Sequence, residues 1–271
     1  MKDFLSIKEF SELSGIEPTT LRYWDDIGLF SPEKRDPDNG YRYYSPLQII
    51  AVNFVTVLRN LGISLKAISQ IEGTREPDTV MNLVEQQEFL LDKEIRKLQE
   101  AHSVIHTRRA LIQAGQRADV SQISVDNLPE RMLILGPPNE EFQEAGDFFP
   151  PFIDFCNHAD TLRINLNYPI GGYYTGLETF CAAPAEPQRF FSWDPNGNTA
   201  RKAGEYMVAY SYGHYGDFDD APQRMSAYAQ KHNLTCKGPV YCIYLFDEVS
   251  TKDPSRYLSQ ISVEVSRKKK H

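Results

Sequence analysis

The chain has 271 residues, of which 41% are hydrophobic and 24% charged, with a formal net charge of −8. That composition belongs to a folded protein with room for two cores and excludes a disordered chain, while the negative sign excludes a broad basic field as the means of holding a polyanion. No apolar run approaches the roughly 18 residues of a membrane span and no signal-like segment opens the chain, so a cytoplasmic location is expected. The charge is unevenly divided: −1 over residues 1–75, −2 over 76–114 and −5 over 115–271.

Ser6 with Glu9 is a capping box ahead of Ile7, Phe10 and Leu13, and Gly15 ends the helix it starts. Pro18 suits the first turn of a second helix, carried on by Leu21 with Trp24 or Asp25 and stopped at Gly28. Two short helices across a tight turn form a helix-turn-helix pattern. Asp36-Pro37-Asp38-Asn39-Gly40 then has turn chemistry, and Tyr41-Arg42-Tyr43-Tyr44 reads as the return strand of a hairpin. Arg42 can meet a phosphate while a neighbouring tyrosine packs on the sugar; the alternative is that Tyr43 or Tyr44 covers the domain core.

Ser45-Pro46 and Ser64 mark the starts of two further helices. From Pro77-Asp78 to Gly115 there is no Gly or Pro, and Val84, Leu91, Leu98, Ile105 and Ile112 recur every seven residues. The heptad predicts a coiled-coil seam on a helix of roughly 55 Å, too long to bury against one small domain, with the same helix of a second subunit as its partner. The companion positions Gln87, Glu94, Ala101 and Arg108 are mixed, which leaves an intramolecular helix as the alternative. From about Val120 the period changes to two, predicting strands at 121–125, 131–135, 172–180, 206–210, 240–246 and 260–265, interrupted by helices near 148–159 and 218–232. Most of the 15 Tyr, 15 Phe and 2 Trp lie in this half, enough to line an apolar cavity for a flat or cationic molecule. The terminal run Arg267 to His271 reads as a solvated tail.

Three segments in order, Leu21-Arg22-Tyr23-Trp24-Asp25-Asp26-Ile27-Gly28-Leu29-Phe30, Gly40-Tyr41-Arg42-Tyr43-Tyr44 and Leu58-Arg59-Asn60-Leu61-Gly62-Ile63-Ser64-Leu65, resemble the MerR family of bacterial transcription regulators over residues 1 to about 75. The resemblance implies a winged helix-turn-helix in which Arg22, Tyr23, Arg42 and Arg59 contact double-stranded promoter DNA. The wing residues Tyr41 and Tyr43 flank that contact, and Thr19 and Thr20, early in the recognition helix, set base preference. Where the family usually has a second aromatic hydroxyl this chain has Trp24, so a phosphate contact there must come from the indole N–H or be absent. Antiparallel pairing of the long helix is implied in the same way.

Gly204 to Tyr210, the helix carrying Tyr228, and Gly238-Pro239-Val240-Tyr241 resemble the gyrase-inhibitor-like effector domain, and the whole layout resembles the BmrR-type multidrug-sensing subgroup, which binds lipophilic organic cations. The implied fold is multi-domain: an N-terminal all-α winged helix-turn-helix at 1–75, a long coiled-coil dimerisation helix at 76–115 and a C-terminal α+β effector-binding domain at 118–271. Position-by-position matching implies Phe149, Phe218, Tyr244 and Tyr257 on the pocket wall, with Tyr168 or Tyr173 and Phe191 or Trp193 beside them. Where that subgroup has a buried glutamate after Val-Tyr, this chain has Cys242, a small hydrophobe. Glu178, on another expected strand, is the substitute carboxylate.

The mechanism implied is that of a ligand-responsive activator: a homodimer sits between two promoter elements across an overlong spacer, and the effector favours distorted DNA that RNA polymerase holoenzyme can use. The alternatives are a regulator of another small-molecule signal, or a gyrase-inhibitor-like domain with hydrolase activity. No cofactor is implied. Metal sensing is not expected, since residues 100–120 contain no cysteine, and the four cysteines, Cys156, Cys181, Cys236 and Cys242, form no CxxC. Nor is catalysis expected: His158, His214 and His232 lie near Asp154, Asp217 and Asp219 in sequence without a nucleophile–base spacing.

Overall fold

The computed structural model describes residues 3–72, 76–139, 148–162 and 164–267. The chain forms two compact units, Met1–Gln99 and Glu100–His271. The last four residues of the basic tail lie outside the described residues.

The first unit begins with strand β1 (Leu5–Ser6), helices α1 (Ile7–Ser14) and α2 (Pro18–Asp26), strands β2 (Lys34–Arg35) and β3 (Arg42–Tyr44), and helices α3 (Gln48–Asn60) and α4 (Leu65–Glu72). The capping box forms: the Ser6 hydroxyl accepts from the Glu9 N–H while the Glu9 carboxylate accepts from the Ser6 N–H. Gly15 closes α1 at φ 71° and Pro18 opens α2. In the wing, Lys34 faces Tyr43 and Arg35 faces Arg42, with Gly40 at φ 73° in the connecting turn. Ser64 accepts from the Ala67 N–H and so caps α4. Strand β1 adds to β3, giving a three-stranded sheet of order β1-β3-β2 beside the helices, which an all-α description leaves out. Phe10, Leu21, Trp24, Tyr44, Val52 and Ile68 form the core, with Phe10 stacked on Tyr44 at 4.5 Å. Of the two wing tyrosines, Tyr44 is the core residue, and burial pushes its hydroxyl up to about 12.

Helix α5 (Pro77–Arg117) runs unbroken for 41 residues, its beginning in the first unit and its end in the second. The second unit then contains β4 (Ser124–Leu128), β5 (Arg131–Pro138), α6 (Phe149–Asn157), α7 (Ala159–Leu162), β6 (Ile170–Tyr174), α8 (Leu177–Ala182), β7 (Arg189–Ser192), β8 (Thr199–Arg201), β9 (Gly204–Tyr212), α9 (Ala221–Lys231), β10 (Leu234–Phe246), a 3-10 turn (Pro254–Arg256) and β11 (Leu258–Arg267). An eight-stranded sheet has the order β4-β9-β11-β10-β6-β7-β5-β8. The segment expected as one strand from 172 to 180 is corrected: β6 stops at Tyr174 and α8 begins at Leu177, because Leu177, Phe180 and Cys181 have helical spacing.

Strand alternation divides the side chains between two faces. On one face Val240, Cys242, Ile261, Val263, Met207 and Ala209 meet Phe180 of α8 and Ala221 and Met225 of α9. On the other, Tyr241, Ile243, Leu245, Phe191, Trp193 and Leu133 meet Leu111 of α5. No helix among the described residues is long and apolar enough to cross a membrane.

Trp24 is 1% exposed and enclosed by the first unit's core. Trp24→Ala is therefore expected to destabilise that unit by about 3–5 kcal/mol, the usual cost of emptying a buried aromatic site. Urea unfolding followed by circular dichroism checks this, and an unchanged midpoint would return Trp24 to the surface.

Candidate nucleic-acid interface and ligand cavity

Helical periodicity sorts α2 into two sides. Leu21, Trp24 and Asp25 point inward, whereas Thr19, Arg22 and Tyr23 are exposed, Tyr23 at 53%, and Thr20 is intermediate. Trp24 is thus removed from the expected DNA-facing set: its position, three residues after Leu21, puts the indole in the core. Arg59, in the last turn of α3, is exposed, as is Tyr41 next to the wing turn, while Tyr43 is half-buried. The wing arginine is engaged within the chain. Arg42 Nε lies 2.5 Å from Asp25 Oδ2 and Arg42 Nη2 3.1 Å from Asp26, leaving the Arg42 side chain 20% exposed. Arg35 Nη2 reaches the same Asp25 oxygen at 2.6 Å.

Asp25 therefore ties both wing strands to the exposed-faced helix. Burial alone would push its carboxyl up, but the hydrogen bonds from Arg42 and Arg35 outweigh burial and hold it below the ordinary carboxylate value. The same bond raises the Arg42 guanidinium, against the opposing effect of burial. The sequence pattern offers Asp25 only as a turn position of α2 beside Trp24, and predicts neither its tie to the wing nor any part for Arg35. The available signal was Asp25 itself, four residues after Leu21 on the apolar side of α2, where a charge requires a partner.

In the second unit a cavity of about 380 Å³ opens on the Cys242 side of the sheet. Five residues of the expected set line it: Phe149, Tyr168, Phe218, Cys242 and Tyr244. Tyr257 is set behind that wall, stacked on His214 at 5.9 Å and tilted against the cavity residue Tyr215 at 5.4 Å. Tyr173, Phe191 and Trp193 belong to the opposite face of the sheet, since each is one residue out of step with a cavity residue or its neighbour; Phe190 faces the cavity and Phe191 does not. Glu178 is exposed in the first turn of α8 and lines a separate polar groove with Thr175, Cys181, Ser226 and Gln230. It does not reach the aromatic cavity, and the reason is the helix that replaces the expected strand.

The cavity walls are aromatic, and burial sets the state of their polar atoms. Burial raises the Cys242 thiol well above its ordinary value, so it is neutral at pH 7. The Tyr244 hydroxyl is likewise pushed up; it accepts from the Gly216 N–H at 3.0 Å and donates to the His214 carbonyl at 3.1 Å. Tyr215 donates to Glu248 and stacks on Phe148 at 5.7 Å, and its pKa rises through burial first and the Glu248 hydrogen bond second. Arg108 of α5 forms an ion pair with Asp247. These residues, Arg108, Phe148, Tyr215, Asp247 and Glu248, all line the cavity and were not among the expected contacts.

Of the histidines, His158 bonds Asp154 within its own helix turn, and His232 stacks on Tyr228 at 4.2 Å. Among the described residues, no group of three or more His, Cys, Asp or Glu is arranged to hold a metal ion.

Residues 5–73 match the family model described as MerR HTH family regulatory protein. The HTH-type transcriptional regulator HmrR of Rhizobium leguminosarum bv. viciae is 33% identical over 101 residues, covering 35% of this chain and 77% of that protein. The chain belongs to the MerR family. A second relative, the Multidrug-efflux transporter 2 regulator of Bacillus subtilis, is 25% identical over 254 residues, 92% of each chain, so the likeness extends through the half that holds the cavity. A third, the Transcriptional regulator BrlR of Pseudomonas aeruginosa, is 34% identical over 94 residues, 34% of this chain and 35% of its own length. The protein is a transcription regulator of the MerR family.

In this MerR-family chain Asp25 has a folded pKa below its unfolded one. Its contribution is fully present above the ordinary carboxylate range and disappears as pH falls through the lowered value. Asp25→Asn is expected to lower stability by about 1.5–3 kcal/mol at pH 7, the scale of hydrogen bonds to a charged group. The gap from wild type should close in acid, where both carry a neutral side chain. A gap that does not narrow as pH falls below the ordinary carboxylate range would mean that the carboxylate charge is not what holds the wing.

Proposed function

We propose that this chain is a homodimeric activator in which α2 and the wing read double-stranded promoter DNA and the aromatic cavity takes a lipophilic small-molecule effector, often cationic. Binding of the effector remodels the promoter for RNA polymerase holoenzyme. The observation that carries the proposal is the aromatic cavity of about 380 Å³, in the same chain as a helix-turn-helix unit that exposes Arg22 and Tyr23. That volume suits a drug-sized ligand, and the multidrug-efflux relative aligns across both halves. Functional borders at 1–75, 76–115 and 118–271 suit this division of labour, and the cytoplasm is its setting.

The dimer is supported by α5. Leu91, Ile95, Leu98 and Ile105 are exposed along one stripe, Leu98 at 61%, and a stripe of apolar side chains on a long helix finds cover in a second copy as a coiled coil. Two reading heads on one duplex then raise affinity beyond what either half-site supplies. The acidity concentrated in the second half, and the capture of Arg35 and Arg42 by Asp25, leave few free cations for phosphate. Non-specific affinity is accordingly modest and specificity rests on placed contacts. Bending a site costs on the order of 1–6 kcal/mol, and an effector that prefers the distorting conformation by about 10²–10⁴-fold supplies an energy of that size.

Leu98→Glu is expected to weaken dimerisation and operator binding together, because it buries a charge at the middle of the seam. Sedimentation equilibrium at low micromolar concentration, with duplexes selected from a random library, checks both. A variant that remains dimeric would move the interface elsewhere. For the effector, transcription in vitro from a selected promoter should rise on adding a lipophilic aromatic compound, and Tyr244→Ala should abolish the rise without loss of DNA binding. A library of cationic and neutral aromatics that neither binds nor changes transcription would overturn the sensor reading.

A further inference from the structure

We propose that Asp247 is the carboxylate by which this cavity recognises a cation, and that Arg108 holds its place until a cationic ligand displaces it. The proposal rests on the sensor reading above and deepens it.

Cys242, on the cavity wall, carries no charge, and Glu178 lines a different groove. Among the described residues, the carboxylates lining the cavity are Asp247 and Glu248. Glu248 is exposed and engaged by the Tyr215 hydroxyl. Asp247 is different: its side chain is 12% exposed, and it faces Arg108, itself 24% exposed. The two partners are not equally free to leave. Asp247 Oδ1 accepts from the Val249 N–H at 3.1 Å and the Ser250 hydroxyl at 3.4 Å, and its carbonyl accepts from the N–H groups of Ser250 and Thr251. The carboxylate is therefore built into a turn. Arg108 approaches Asp247 Oδ2 with one terminal nitrogen at the end of a long, rotatable side chain.

A nearly buried carboxylate cannot be stripped of its cation without a large penalty, so only another cation can take the place of the guanidinium. A neutral aromatic can fill the walls but cannot release Arg108. The exchange also reaches beyond the cavity. Arg108, Leu111 and Gly115 share one face of α5, and Gly115 lies so close to Phe246 that a Cβ there would be 2.6 Å from the ring. The end of β10 and the turn that follows it thus meet α5 through Phe246 and Asp247, and the cavity through Asp247, and a cationic ligand breaks one of those contacts.

The test is calorimetric titration of the full-length protein with tetraphenylphosphonium and with neutral triphenylphosphine oxide, on wild type, Arg108→Lys, Arg108→Gln and Asp247→Asn, each first shown to be folded by its thermal melt. Removing the resident cation should tighten tetraphenylphosphonium by about tenfold in Arg108→Gln, and removing the carboxylate should weaken it by about tenfold or more in Asp247→Asn, each near the ratio set by one lost or gained charge-assisted contact. Triphenylphosphine oxide should stay within about twofold throughout, and Arg108→Lys, which keeps a cation, should resemble wild type. A merely structural ion pair would move both probes alike, and that result overturns the proposal. So does weaker phosphonium binding in Arg108→Gln. If neither probe binds any of the four proteins, the sensor reading itself falls and the proposal falls with it; if both bind and the charge preference ignores Asp247, only the proposal falls.

Discussion

The two-residue period of β10 is the constraint on which the second unit depends. This strand lies inside the sheet, with β11 on one side and β6 on the other, and its register sends Cys242 and Tyr244 to the cavity while Tyr241, Ile243 and Leu245 face Leu111 of α5. A slip of one residue would exchange the two sets and put the thiol and the cavity tyrosine against the helix. Two features fix the register. Irregularities between Lys237 and Val240 and between Tyr244 and Phe246 allow only one alignment with β11. Opposite Ile243 stands Gly171, where a Cβ would lie 2.4 Å from the Cys242 carbonyl oxygen, so no larger residue fits that approach.

The first unit solves a different problem, how to hold a two-strand wing of five residues that could not stand alone. A buried carboxylate does it. Asp25 comes from the helix, Arg35 and Arg42 from the two wing strands, so one desolvated charge fixes helix and hairpin to each other. The arrangement carries a cost for DNA binding, because the arginines best placed to meet phosphate are partly neutralised before any duplex arrives. Geometry is preserved at the expense of charge, which fits the proposed function, distortion of one particular site rather than coating of many.

Local chemistry made the reading head legible. A capping box, a turn-forming Asn-Gly pair and an N-terminal proline each act within a few residues, and Ser6–Glu9, Asn39-Gly40 and Pro18 do in the structure what their types imply. The cavity was legible only in part, for two physical reasons. Aromatic content marks a residue as buried without giving its face, so Tyr173 could not be told from Tyr168, nor Phe191 and Trp193 from Phe190, until the parity of β6 and β7 was known. The stretch from Gly172 to Phe180 mixes strand-favouring aromatics with a helical Leu177–Phe180–Cys181 spacing, and Glu178 went to the wrong element with it. The pairing of Arg108 with Asp247 spans 139 residues, and no local pattern announces a contact of that kind.

Where a cavity keeps its charge decides what its ligand can do. Aromatic walls give affinity through area and stacking, with little regard to the state of the rest of the protein. A ligand that gains the same energy in two conformations shifts neither, however tightly it binds. A carboxylate at the centre of the cavity would sharpen preference for a cation yet leave α5 untouched. A carboxylate shared with α5 ties recognition to the helix, because the cation that satisfies Asp247 is also the one that frees Arg108. On the proposed assignment, charge selectivity and response are one event, and a neutral ligand of equal shape binds without the differential contact from which a coupling free energy is made.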